Sequence, residues 1–148
     1  MGLRHLGREL ALQALYQIDL SGAESRDDLA RLFANFPADE RARSFAIELV
    51  EGVRRERAAL DKHLAESIEN WSISRLSRVD HNILRLALFE LLYRAEIPAR
   101  VTMDEAIELA KRFGDRDSSR FVNGVLDQAA ERLGLKNKGE DRGAVKTA

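Results

Sequence analysis

The side chains of this sequence best suited to chemistry are a carboxylate cluster, three histidines and a basic run ending in an aromatic. Asp104, Glu105 and Glu108 lie within one short stretch. Two carboxylates can divide acid and base roles when their surroundings hold their pKa values apart. Here the cluster lies in the first turns of a predicted helix, where negative charge favours the helix dipole. Thr102 and Glu105 also have the T-x-x-E spacing of a capping box. Capping is therefore the expectation, ahead of acid–base chemistry. His5, His63 and His81 fall on three different predicted helices with no motif linking them, and are expected at the surface or at helix ends. The chain has no H-E-x-x-H, G-x-S-x-G, P-loop or G-x-G-x-x-G pattern. It also has no cysteine, hence no disulfide, thiolate metal site or cysteine nucleophile. A binding module is expected rather than an enzyme, with no cofactor and no metal.

The basic residues are more informative than the total charge. The 148 residues carry a formal net charge of only −1, although 33% of them are charged. Any nucleic-acid partner must then be read from local patches. Residues 111–120 net +2 through Lys111, Arg112, Arg116 and Arg120, and the tail from 132 onward nets +3, whereas 21–70 nets −3. Arg4 and Arg8 add positive charge near the start. If the first and last helices are neighbours, these groups could line one groove, with Tyr16 and Phe121 as its aromatic faces. Cations that track phosphates, beside aromatics on which bases stack, are the logic of single-stranded RNA binding. The competing reading is a set of ordinary solvated faces with both aromatics in the core.

Positioning these residues falls to helices. Only two prolines occur, Pro37 and Pro98, and no stretch alternates long enough to make a strand. A first helix is predicted over about 5–20, ended by Ser21-Gly22. A second starts at Ser25 and is closed by Pro37. A long stretch from 39 to about 70 is one bent helix or two, weakened at Gly52 and the run "RRER". Segment 78–95, "RVDHNILRLALFELLYRA", is apolar around nearly its whole circumference and too short to span a membrane, so it belongs at the centre of a bundle. A helix ending at Gly114 follows, then a last helix ending at Gly134. The remainder, 135–148, is poor in apolar residues and expected to be disordered. No apolar run approaches the roughly 20 residues of a membrane span, so a cytoplasmic protein is the expectation.

One dipeptide resists this reading. Asn123-Gly124 is a strong hairpin-turn signal, yet Val122, Val125, Leu126, Ala129, Ala130 and Leu133 recur at helical spacing. The helix is preferred, and Gly124 is expected to be a notch that admits a second helix. Its cost relative to alanine is about 1 kcal/mol.

Four stretches, "RELALQALYQIDLSG", "NILRLALFELLYRAEIPARV", "DEAIELAKRFG" and "SSRFVNGVLD", resemble in order and spacing the NusB family of transcription antitermination factors. The resemblance covers the chain up to Gly134. It implies an all-α fold of about seven helices: two packed three-helix-type bundles, about 1–70 and 71–134, around the central apolar helix. It implies binding to the boxA element of ribosomal RNA transcripts together with the ribosomal protein that acts as NusE, within the antitermination complex on RNA polymerase. No reaction is implied. The family's arginine-rich segment falls on "LRHLGRE", with Arg4, His5 and Arg8. Its tyrosine is Tyr16, the acidic position before the I-L-R helix is Asp80, and the aromatic opening F-V-N-G is Phe121. Lys111, Arg112 and Arg120 complete the RNA-binding set. Asp80 is read equally as the N-cap of its helix. Two alternatives stand beside this function: a helical protein-interaction module or homodimer without RNA, and a domain related to the one preceding ribosomal RNA cytosine methyltransferases.

Overall fold

Apolar residues at three-and-four spacing build the chain into helices, and helix-end chemistry sets where each one stops. A computed structural model describes residues 2–22, 26–34, 39–68 and 76–140, with the side chains of 26–29 outside that description. Among the described residues there are seven helices and no strand: α1 Leu3–Ser21, α2 Arg26–Ala34, α3 Glu40–Arg55, α4 Arg57–Ser67, α5 Arg78–Tyr93, α6 Ala99–Phe113 and α7 Ser118–Arg132. The expected cap at Ser25 and stop at Pro37 lie outside the described residues. The long stretch from 39 is two helices, parted at Glu56 inside the charged run. No helix of the described residues is long and apolar enough to cross a membrane.

The helices form two compact units, Met1–Arg55 and Glu56–Ala148. The contacts group α4 with α5 and α7, so the division falls before α4, where the sequence suggested about residue 70. In the first unit α1 lies along α3. Gly22 closes α1 in the left-handed region, φ 71°, and its N–H donates to the Ile18 carbonyl. Gly7 is what lets α1 approach α3 so closely. A Cβ there would stand 2.7 Å from the Phe45 ring and 3.0 Å from the Ala42 carbonyl oxygen.

In the second unit α5 is the centre, with α4, α6 and α7 against it. Ile83, Leu84, Leu86, Leu88 and Leu91 are all buried, as expected for a helix apolar on every side. Burying each such side chain is worth about 1.5–3 kcal/mol. Arg85 is a buried charge on this helix that needs a partner, and α4 supplies it. Its Nε and Nη2 donate to the two oxygens of Asp61, both at 2.8 Å. Nη1 donates to Asn82 Oδ1 at 3.2 Å. His81 Nε2 also lies 2.8 Å from Asp61, so this histidine staples two helices and is not a surface group. Burial opposes the charge on Asp61, but the hydrogen bonds from Arg85 and His81 and the arginine's charge outweigh it and hold the carboxyl well below its usual range. From α7, Arg132 reaches the end of α4, donating to the His63 carbonyl at 3.0 Å and to Ser67 Oγ at 2.9 Å.

Two helix starts differ from expectation. The α5 cap is Ser77, whose Oγ accepts from the Asp80 N–H at 3.1 Å, so Asp80 sits in the first turn and is not the cap. The α6 helix begins behind Pro98, a turn earlier than the capping-box reading requires. Thr102 is therefore inside the helix, buried, with Oγ1 donating to the buried Glu90 carboxylate at 2.9 Å. The carboxylates at 104, 105 and 108 lie beyond the first turn.

The segment after α7 also departs from expectation as far as Glu140. Lys138 Nζ donates to the carbonyls of Glu90 and Arg94 at 2.8 and 3.0 Å, adding a second hydrogen bond to carbonyls at the end of α5 that already accept the Arg94 and Ile97 N–H groups. The Lys138 carbonyl accepts the Ala99 N–H at 2.9 Å. This strap runs so close to Pro98 that a Cβ on Gly139 would stand 2.8 Å from the proline Cα. Burial pushes the Lys138 pKa down, against the opposing charges of Glu90 and Glu96.

Candidate nucleic-acid interface

The turn between α6 and α7 gathers the basic run. It is tight because Gly114 has no side chain: a Cβ there would collide with the Ser118 hydroxyl and sit 2.7 Å from the Ala110 carbonyl oxygen. Ser118 Oγ accepts the Asp115 N–H at 2.9 Å and donates to Asp115 Oδ1 at 3.2 Å. Asp115 Oδ1 also accepts the Asp117 N–H at 3.1 Å. With the turn so braced, Lys111 and Arg112 end one helix, while Arg120 and Phe121 begin the next. Lys111, Arg112, Arg116 and Arg120 are all exposed, and Phe121 is half-buried. Lys111 stands 3.9 Å from Glu108, a loose surface pair that holds little of its charge back from a ligand. The Arg112 guanidinium lies over the Phe113 ring, 5.2 Å from its centre.

Phe121 lines a groove of about 250 Å³ between α7 and the end of α4. Its other walls include Ser67, Ile68, Arg120, Gly124 and Gln128. Gly124 is not the helix-packing notch expected from the sequence. A Cβ added there would meet nothing within 4 Å. Gly7, by contrast, does have a helix against it, and the sequence carried no sign of the difference.

Asp80 lies behind this surface. The residue is buried, and its Oδ1 has no hydrogen-bond partner among the described residues. Burial is the main cause that pushes its carboxyl above the usual range, with the charge of Asp115 adding to it and hydrogen bonding from Ser118 and Ser77 opposing it. Asp80 thus sits buried in the first turn of α5, where it feels the charge of Asp115 in the α6–α7 turn.

The other four candidates share α1 in the first unit. Arg4 and Arg8 both sit over the Phe45 ring, 5.2 and 5.5 Å from its centre. Arg4 is exposed, but Arg8 is only 3% exposed, so its guanidinium is committed to cation–π packing. His5 Nε2 lies 3.4 Å from Glu9. Tyr16 is 37% exposed, enough to offer a ring face to a ligand.

Sequence reasoning passed over Asp61, Arg85 and Gln128. An arginine in the middle of the apolar run 83–89 was the available sign of a buried ion pair. Gln128 became visible only once it stood in register with Phe121 and Gly124 on α7. Among the described residues no group of three or more His, Asp or Glu could hold a metal ion.

The chain is 52% identical over 141 residues to the transcription antitermination protein NusB of Geotalea uraniireducens, covering 90% of this chain and 97% of the relative. Its structure resembles Thermotoga maritima NusB, with a TM-score of 0.79 at 33% identity over 97% of this chain and 98% of that one. It also resembles a chain in a crystal structure of the antitermination factors NusB and NusE with double-stranded RNA, with a TM-score of 0.78 at 27% identity, covering 89% and 98%. The sequence model of the NusB family matches residues 5–131, and the chain belongs to that family.

Proposed function

We propose that this chain is an RNA-binding antitermination factor. It binds boxA RNA together with the ribosomal protein NusE and supports processive transcription of ribosomal RNA operons by RNA polymerase. The observation that carries this reading is the braced α6–α7 turn, which sets exposed arginines beside the partly open ring of Phe121. Cations near phosphates supply affinity, and the ring supplies a stacking platform. The role needs no catalysis and no cofactor, and its setting is the cytoplasm, where transcripts are made.

Within this reading Lys111, Arg112 and Arg120 contact the RNA backbone, and Phe121 stacks on a base. Arg4, His5 and Tyr16 extend the RNA contacts on the first unit. Arg8 and Asp80 act from inside: Arg8 braces the Phe45 ring, and Asp80 sits buried in the first turn of α5. An ionised Asp80 facing phosphate would only repel it, so its burial suits the role.

The test is a titration of boxA and scrambled single-stranded RNA, and of the same boxA sequence as a duplex, with and without NusE. Weak binding alone and tighter, sequence-selective binding by the NusE pair are expected. Equal affinity for boxA and scrambled RNA in the presence of NusE would overturn the reading. Phe121→Ala should lose ~1–3 kcal/mol of RNA affinity, the worth of one stacked base, with little change in melting temperature.

A further inference from the structure

Gly124 raises a question that helix packing does not answer. It sits inside α7, where glycine costs about 1 kcal/mol relative to alanine. Among the described residues no neighbour requires its lack of a side chain, because none lies within 4 Å of the Cβ position. What it leaves is space, and that space belongs to the groove of about 250 Å³ beside Phe121. Phe121, Gly124 and Gln128 are spaced three and four apart on α7, so they form one stripe along a single face. Ser67 and Ile68, at the end of α4, form the opposite wall. Arg132 holds that wall in position through Ser67 Oγ. A small flat ligand would then meet an aromatic face, a gap where a side chain would otherwise stand, and an amide. Arg120, exposed at the edge of the groove, supplies a cation for a phosphate.

We propose that this groove holds one unpaired base of the bound RNA. Phe121 stacks on it, Gly124 leaves room for it and Gln128 reads its edge. The inference rests on the RNA-binding reading above and adds a specificity residue to it. Gln128 is exposed and makes no hydrogen bond or ion pair among the described residues, so its amide is available. An amide presents a donor and an acceptor side by side, the complement of the adjacent donor and acceptor on the edge of an unpaired base. Single-stranded bases expose those edges, which is how proteins read RNA sequence. The binding of the base here also explains why a helix-weakening residue lies on an open surface.

The experiment uses the NusE pair and a boxA RNA in which each nucleotide in turn is made abasic. At one position the wild type should lose roughly 10-fold or more in affinity, the scale of one stacked base. Gly124→Leu, which fills the groove, should weaken binding of intact RNA by a similar factor and lose nothing further at that position. Gln128→Ala should reduce the base preference there while keeping most of the affinity. Wild-type affinity for intact RNA in Gly124→Leu would overturn the groove. So would a Gly124→Leu defect that adds in full to every abasic loss. An unchanged base preference in Gln128→Ala would overturn the reading role of that residue. Phe121→Ala separates the two levels: weakened RNA binding there with intact binding in Gly124→Leu leaves the RNA function standing without the groove. Wild-type binding in both, or no selective binding by the wild type, fails the RNA reading itself. Thermal melts of each variant report whether it is folded.

Discussion

Two helical glycines should respond to alanine in opposite directions. In an open helix position the change removes the backbone-entropy cost of glycine and stabilises by about 1 kcal/mol. Gly124 is such a position, with nothing within 4 Å of the added carbon. Gly7 is not. Its added carbon would stand 2.7 Å from Phe45 Cδ2 and 3.0 Å from the Ala42 carbonyl oxygen. Carbon contacts rest at about 3.5–4.0 Å, so the ring or α1 must shift by roughly an ångström. The ring does not move freely, because Phe45 is buried and the Arg4 and Arg8 guanidinium groups sit against it. The carbonyl is backbone of α3 and moves only with the helix. Overpacking of this kind costs about 1–3 kcal/mol. Less the helix-propensity gain, Gly7→Ala should destabilise by up to about 2 kcal/mol. At this chain length 1 kcal/mol corresponds to about 2–4 °C. Gly124→Ala should therefore melt a few degrees above the wild type and Gly7→Ala a few degrees below, measured by calorimetry on both variants in one buffer. A Gly7→Ala protein as stable as Gly124→Ala would refute the close approach of α1 to α3.

Three further perturbations test the second unit. Asp61→Asn leaves buried Arg85 without its charge partner and should cost about 2–3 kcal/mol near pH 7, at or just below the low end of the range for breaking a buried pair because Asp61 itself is partly exposed. The folded pKa of Asp61 is depressed, so the pair's stability is present above the ordinary carboxylate range and is lost as pH falls below it; a variant-to-wild-type gap that stays constant into acid would count against the pairing. Asp80 has the opposite sign, since burial raises its pKa and the folded state favours its protonated form. Asp80→Asn should then hold or gain stability at neutral pH, and its advantage should shrink as pH falls through the raised carboxyl range and be gone below about 4, the ordinary carboxylate value, when melting temperature is followed against pH. Lys138→Ala removes the ammonium group that closes the end of α5 and should cost about 1–2 kcal/mol in denaturant unfolding, the usual worth of charge-assisted hydrogen bonds; no change would mean the strap is unattached in solution.

Much of the architecture was legible because helical periodicity is a local property. The apolar circumference of 78–95 needs a surround on all sides, and α4, α6 and α7 supply it. Gly22 and Gly114 were readable as helix ends for similar reasons, being local to the chain. The starts of α5 and α6 were not. Ser77 and Asp80 compete for the same cap, and Thr102 fits a capping box as well as it fits a buried hydrogen bond. Which role each one takes depends on Glu90 and Ser118, which come from elsewhere in the chain. The basic and aromatic residues of the candidate interface were visible by type. Their availability was not, because exposure separates Arg4 from Arg8 although both lie over the same ring.

The sequence by itself determined the helices, the central place of α5, the absence of cysteine chemistry and the family, since each follows from residue type and spacing along one strand of chain. Tertiary structure alone decided which glycine is a packing notch and which opens a groove. It also decided that His81 staples α4 to α5, that Asp80 works from behind the surface, and that Lys138 ends a helix far from it in sequence. The physical reason is the same throughout. A side chain's role here is set by what stands within a few ångströms of it, and in these cases that neighbour comes from a distant part of the chain. Asn123-Gly124, which imitates a turn, lies within a helix because its apolar neighbours have a core to enter, and its glycine is notable for the space left open beside Phe121.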